Sequence, residues 1–233
     1  MILAVILLLT AVTAIYFSQY YKPGDKALEI LLSDCEGVTV DTSIKGYISF
    51  IPDVYTSGII LYPGAKVDAK AYAPLMYALA EKGILSVICE MPLNFALTKT
   101  GAYRYYVDAF PDDVSWYVMG HSLGGVAASS YLPKDPDGID GIIFLASYTS
   151  TDISSLDVKV LSVYGTEDTV LNKDAYEKGK DLLPSSSEEY VIIGGNHAQF
   201  GDYGRQKGDG TAVISSELQT EETVGAILRF IEN

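Results

Sequence analysis

From about residue 37 onward, apolar positions in this chain alternate between two patterns. Short runs that are apolar on both faces and rich in Val, Ile and aromatics recur at "GIILYPG" (58–64), "ILSVICE" (84–90), "SWYVMG" (115–120), "GIIFLAS" (141–147), "VKVLSVYG" (158–165) and "EYVIIGG" (189–195). Such runs predict strands buried in a parallel sheet. Ahead of them, "VTVDT" and "GYISFIP" predict an antiparallel pair turning near Lys45 and Gly46. Between the runs, apolar residues at helical spacing predict helices over 68–82, 101–110, 122–132, 172–183 and 216–231. Alternation of this kind implies right-handed crossovers and helices on both faces of a mostly parallel sheet, an α/β fold. Ligands of such sheets bind outside the carboxyl ends of the strands.

Residues 1–21 stand outside that alternation. Residues 2–17 carry no charge, and Tyr16, Phe17, Tyr20 and Tyr21 close the run as an aromatic belt would at a membrane interface. The expectation is an N-terminal anchor over 1–21, a connector over 22–36 and a folded domain over 37–233 held outside the cytoplasm. A cleaved signal peptide, which would make the protein secreted, is the rival reading. No Lys or Arg precedes the apolar run, and Val12-x-Ala14 is a poor cleavage site. A buried core helix is the third reading. Lys22 and Lys26 follow the segment and pull against the favoured orientation.

The 233 residues suffice for one domain with a single substantial core. A formal net charge of −14, from 16 basic against 30 acidic residues, argues against a nucleic-acid partner, whose phosphates it would repel. Oligomeric state is not legible. Cys35 and Cys89 are the only cysteines. Cys89, ending an apolar run, reads as a small buried hydrophobe; export would permit a Cys35–Cys89 disulfide without establishing one. No spacing suggests a metal site, and no cofactor is expected.

Chemistry concentrates at the predicted strand ends. "WYVMGHSLGGVAA" puts Ser122 between a strand and a helix, flanked by Gly120 and Gly124. A nucleophile on such a sharp turn projects its hydroxyl outward, and bulk two residues away on either side would clash. The bland alternative is a serine that merely caps the helix. A serine needs a base, and the chain has two histidines. His121 adjoins Ser122 and points away from it on a tight turn, so it is expected to pack against a neighbouring strand end. His197, in "GGNHAQFGDYG" after the last strand, is the expected base. Asp168, in "YGTED" past the preceding strand, is the expected orienting acid, with Glu167 as the fallback. Two backbone amides are expected to hold an oxyanion: that of Leu123, after the nucleophile, and that of Ala65, in the Pro63-Gly64 turn after the third strand. Lys66 is the alternative to Ala65. Asn94 and Gln199 are polar residues in the flanking loops 89–96 and 196–210, each more simply read as structural.

The segments "LYPGAKVDAKAYAPLMYALAEKG", "MPLNFA", "GHSLGG", "YGTED" and "GGNHAQFGDYGRQKGDG" resemble the α/β-hydrolase superfamily, from about residue 37 to the C-terminus. More narrowly, the chain is similar to the dienelactone-hydrolase-like branch and to a bacterial subgroup of N-terminally anchored members. The resemblance implies the α/β-hydrolase fold with an eight-stranded sheet. It carries the nucleophile onto Ser122, the acid onto Asp168, the base onto His197, and the oxyanion amides onto Ala65 and Leu123. Dienelactone hydrolase itself uses a cysteine nucleophile. Serine here favours ordinary ester cleavage. Only about residues 148–157 connect "GIIFLAS" to "VKVLSVYG", so no large lid is expected and the site should be open and suited to short acyl chains. Thioester cleavage or acyl transfer would pass through the same intermediate. A catalytically silent, anchored binding domain is the alternative from another class.

Overall fold

A computed structural model of the chain describes residues 5, 12, 16–33, 36–109 and 114–233. Every predicted strand forms: β1 (Val38–Asp41), β2 (Tyr47–Pro52), β3 (Ser57–Tyr62), β4 (Ile84–Cys89), β5 (Ser115–His121), β6 (Ile139–Leu145), β7 (Lys159–Gly165) and β8 (Glu188–Ile192). They make one sheet in the order β1-β2-β4-β3-β5-β6-β7-β8. β2 runs antiparallel to both β1 and β4, and every other pairing is parallel. β3 and β4 are buried along their whole length, as their unbroken apolar runs require of strands covered on both faces.

The helices are α1 (Asp25–Leu32), α2 (Ala73–Ala80), α3 (Arg104–Ala109), α4 (Leu123–Tyr131), α5 (Lys173–Lys180) and α6 (Ser216–Glu232), with a 3₁₀ turn at Ala69–Tyr72 leading into α2. Two apolar cores result. Ala27, Leu75, Met76, Leu79, Ile227 and Phe230, from α1, α2 and α6, pack on one face of the sheet. Tyr106, Val107, Ala127 and Ala128, from α3 and α4, with Tyr103 just ahead of α3, pack on the other. The link between β6 and β7 holds no helix and tucks Ile153 fully inside, so no lid is inserted there.

Helix α1 lies inside the segment expected to be a connector. Its only buried residue is Ala27, too little apolar surface to announce a helix in sequence. What fixes it is the loop carrying residues 196–210. The Asp202 carboxylate accepts the Ala27 amide at 2.9 Å, and the Asp202 carbonyl accepts the Gly24 amide at 2.7 Å. A carboxylate at that place also faces the positive end of the helix dipole. Upstream, Tyr21 bridges to Val67 in parallel fashion, and Tyr16 and Phe17 lie against Lys66 and Phe95. Among the described residues no helix is long and apolar enough to cross a membrane. Most of the expected anchor, residues 1–4, 6–11 and 13–15, lies outside the described residues, as does Cys35. Cys89 is a buried free thiol whose pKa is pushed up by burial, consistent with its reading as a small hydrophobe.

Replacing Asp202 by Ala leaves the α1 amide without its acceptor. Urea unfolding of Asp202→Ala should show a loss of about 1 kcal/mol, within the range for a lost helix cap. An unchanged midpoint would mean that α1 is held by packing alone.

Candidate active site

The carboxyl ends of β3, β5, β7 and β8 carry the loops that hold all the expected site residues. Ser122 occupies the one residue between β5 and α4, with φ 52° and ψ −124°. A non-glycine residue in that conformation costs on the order of 1–3 kcal/mol, and it persists only where surrounding structure enforces it. Here the Ser122 amide donates to the Leu145 carbonyl at 2.9 Å, and the Ser147 hydroxyl donates to the Ser122 carbonyl at 2.5 Å. A side chain at Gly120 would collide with the backbone of Gly124 and Gly125. One at Gly124 would collide with the Tyr62 and Pro63 carbonyls. The glycines therefore serve close backbone approach, bringing the start of α4 against the end of β3. Ser122 makes no side-chain capping bond to α4, so the bland reading of a helix cap does not describe it.

His197 follows β8 and is 1% exposed. Its Nδ1 lies 2.9 Å from Asp168 Oδ2, and Asp168 is equally buried. The other Asp168 oxygen accepts the amides of Val170 and Leu171, each at 2.8 Å, which fixes the carboxylate in orientation. With Nδ1 donating to the carboxylate, Nε2 of the neutral ring is left as the acceptor. That Nε2 is buried and has no hydrogen-bond partner among the described residues. An orphaned buried nitrogen of this kind costs about 1–3 kcal/mol, and a base awaiting a proton is one reason to keep it. Glu167, the fallback acid, instead accepts the Thr166 hydroxyl at 3.0 Å.

The turn after β3 separates the two candidates for a second oxyanion amide. The Lys66 amide is committed to the Asn94 carbonyl at 2.7 Å, whereas the Ala65 amide has no acceptor among the described residues. Leu123 opens α4, where first-turn amides have no partner within the helix. Asn94 thus acts through its carbonyl, and the Gln199 amide group is spent on the Ile214 carbonyl and Gln219.

His121 packs against the end of the neighbouring strand β3, as expected: a Cβ on Gly64 would sit 3.0 Å from its Nδ1. Its Nδ1 lies 2.8 Å from the Tyr72 hydroxyl and its Nε2 3.1 Å from the His197 carbonyl, with the two imidazoles 4.6 Å apart. Burial, and then the nearby His197, hold its pKa well below the usual histidine range.

Three further residues position the base loop and escaped the sequence reading. Gln219, 0% exposed on α6, clamps Asn196 by accepting its amide at 3.0 Å and donating to its carbonyl at 2.8 Å. Asp209 accepts the amides of His197 and Ala198, at 3.3 and 2.9 Å. Tyr72 is the third. A Gln on a polar-faced helix and an Asp in a glycine-rich loop carry no mark in sequence that sets them apart. Among the described residues, no group of three or more His, Cys, Asp or Glu side chains is placed to hold a metal ion.

A family model described as "Alpha/beta hydrolase family" matches residues 58–221. No curated protein matches. Among solved structures, a CIB-like hydrolase from Thermoplasma acidophilum is 18% identical, with 83% of this chain and 99% of that one covered at a TM-score of 0.61. Est1E from Butyrivibrio proteoclasticus, solved with ferulic acid bound, is 15% identical over 86% and 98% of the two chains, at 0.60. Dienelactone hydrolase from Anabaena variabilis is 13% identical over 84% and 99%, at 0.59. At these identities the likeness is one of fold.

Because folded His121 resists protonation, stability should drop as pH falls below about 6.5, where the unfolded imidazole takes up a proton and the buried one does not. Above that pH the group adds no pH dependence. Urea unfolding at pH 5.5 and 7.5 should give a steeper loss for wild type than for His121→Asn, by up to about 1.4 kcal/mol per pH unit. Equal losses would mean that His121 is protonated within the fold.

Proposed function

We propose that this chain, which belongs to the alpha/beta hydrolase family, is a serine hydrolase that cleaves carboxylic esters through an acyl-enzyme. The observation that carries the reading is a buried imidazole, oriented by a buried carboxylate at 2.9 Å and with its far nitrogen unpaired among the described residues, in the same site as a serine forced into a left-handed turn.

In this reaction the Ser122 oxygen attacks the ester carbonyl carbon while its proton passes to His197 Nε2. Asp168 keeps the Nδ1–H tautomer and stabilises the imidazolium that forms. The negative charge moves onto the carbonyl oxygen, where the Leu123 and Ala65 amides stabilise it, aided by the positive end of α4. Collapse of the tetrahedral intermediate breaks the C–O bond, and His197 returns the proton to the departing alcohol. Water, deprotonated by the same histidine, then attacks the acyl-Ser122 ester, releasing the acid and restoring the serine. The helix-free link between β6 and β7 supports an open site and a preference for short acyl chains. We attach the enzyme to a membrane through its N-terminal segment on the strength of the uncharged run over residues 2–17.

A fluorophosphonate probe should label the folded protein and fail to label Ser122→Ala. Labelling that persists in Ser122→Ala would move the nucleophile elsewhere. Asp168→Asn should lower kcat by roughly 10⁴, by analogy with the protease triad aspartate, and near-full activity would remove Asp168 from the mechanism. Across a panel of oxygen esters and thioesters with graded acyl lengths, short oxygen esters should be the best substrates. Best turnover of long-chain lipids would contradict the open site.

A further inference from the structure

His121 is a fully buried polar side chain that the chemistry above does not use. Both its ring nitrogens are engaged, and the direction of each bond is forced. A backbone amide only donates, so the Gly64 N–H, 2.9 Å from the Tyr72 hydroxyl, gives its proton to that oxygen. A carbonyl only accepts, so His121 Nε2 must carry the proton it shares with the His197 carbonyl. Nδ1 of the neutral ring is then an acceptor, and the Tyr72 hydroxyl supplies its hydrogen. Burial also pushes the Tyr72 pKa up, so the hydroxyl keeps the proton it donates. Gly64 approaches both side chains so closely that a Cβ there would sit 3.0 Å from His121 Nδ1 and 3.2 Å from the Tyr72 oxygen.

The path matters because of the sheet order. β8 lies three strands away from β5, on the far side of β6 and β7. The loop that bears His197 must therefore reach back across two strands, each step about 4.8 Å, to meet the turn at Ser122. The bond from His121 to the His197 carbonyl is where that loop is fastened to β5. Through Tyr72 the same imidazole is fastened to the turn after β3 that carries Ala65.

We propose that Tyr72 and His121 are positioning residues, whose hydrogen-bonded path from Gly64 to the His197 carbonyl sets the oxyanion-binding turn in register with the catalytic base. This rests on the serine hydrolase reading. The path contributes no proton transfer, since both its ends are backbone groups. It holds two backbone segments at one separation, and displacement by about 1 Å in such a site costs on the order of 100-fold in rate.

The test is Tyr72→Phe, which leaves the Gly64 amide and His121 Nδ1 both unpaired while keeping the ring. Active sites are counted with a fluorophosphonate taken to complete reaction, and turnover of a short ester is expressed per titrated site. We expect nearly full titration, kcat per site lower by roughly 10- to 100-fold and KM within about threefold of wild type. An unchanged kcat per titrated site overturns the proposal, even if the titratable fraction falls, because that is what a purely structural role produces. Should Tyr72→Phe not fold, His121→Asn replaces it; it keeps an acceptor for Tyr72 but loses the reach to His197, and kcat per site within about twofold of wild type overturns the proposal. Independently, ¹⁵N imidazole spectra of the intact protein, assigned with His197→Ala, should show His121 as the neutral Nε2–H tautomer. An Nδ1–H tautomer contradicts the path whatever the rates. Absence of labelling in wild type removes the hydrolase reading itself, and the catalytic role of the path with it. Labelled wild type with an unimpaired Tyr72→Phe removes the path alone.

Discussion

The site depends on one constraint: a single residue, Ser122, must reverse the chain from β5 into α4. With φ at 52°, the turn is held against its own preference by the Leu145 carbonyl and the Ser147 hydroxyl at the end of β6. The neighbouring strand thus enforces the strain that the local sequence would relieve. The same reversal presses α4 onto the end of β3, where Gly124 meets the Tyr62 and Pro63 carbonyls. The amides of Leu123 and Ala65 consequently sit on two backbones in close approach, one opening a helix and one after a strand. The electrostatics of the site follow from that packing of backbones.

The His197 imidazole is held differently. Its loop belongs to the far side of the sheet, and it is fastened at several points, by side chains from elsewhere in the chain and by its own. Gln219 on α6 grips Asn196, Asp209 closes the loop on itself, His121 takes the His197 carbonyl, and Asp202 reaches out to the start of α1. The imidazole is thus oriented through its backbone as much as through Asp168. A short parallel strand with an exposed Ile193 after it would not supply such rigidity by itself.

The central strands were legible because they are buried on both faces and leave nearly unbroken apolar runs between polar stretches. β8 was the least exact, ending at Ile192 where the apolar run suggests three more residues, since Gly194 and Gly195 begin the loop. Ser122, Asp168 and His197 stood out because each follows a strand end and histidine is so scarce. Choosing between Asp168 and Glu167, or between Ala65 and Lys66, required hydrogen bonds that no spacing encodes. Helix α1 was invisible, as it buries one alanine and owes its place to Asp202, about 175 residues later. Nothing in the sequence marked Tyr72, and His121 was expected only to pack at a strand end. The partners that give both of them work are assembled only by the sheet order.

The last residue of the expected anchor, Tyr21, is bound into the folded domain. Tyr21 donates its amide to the Lys66 carbonyl and accepts the Asp68 amide, and its hydroxyl accepts the Lys207 amide. It therefore ties the turn beside Ala65 to the loop of His197, as an extra edge laid along the mouth of the site. A protease that trimmed the leader at Val12-x-Ala14 would leave this edge in place. Loss of Tyr21 itself would leave the turn after β3 and the 196–210 loop without a shared support. The N-terminal segment and the two loops are in that sense joined through one residue.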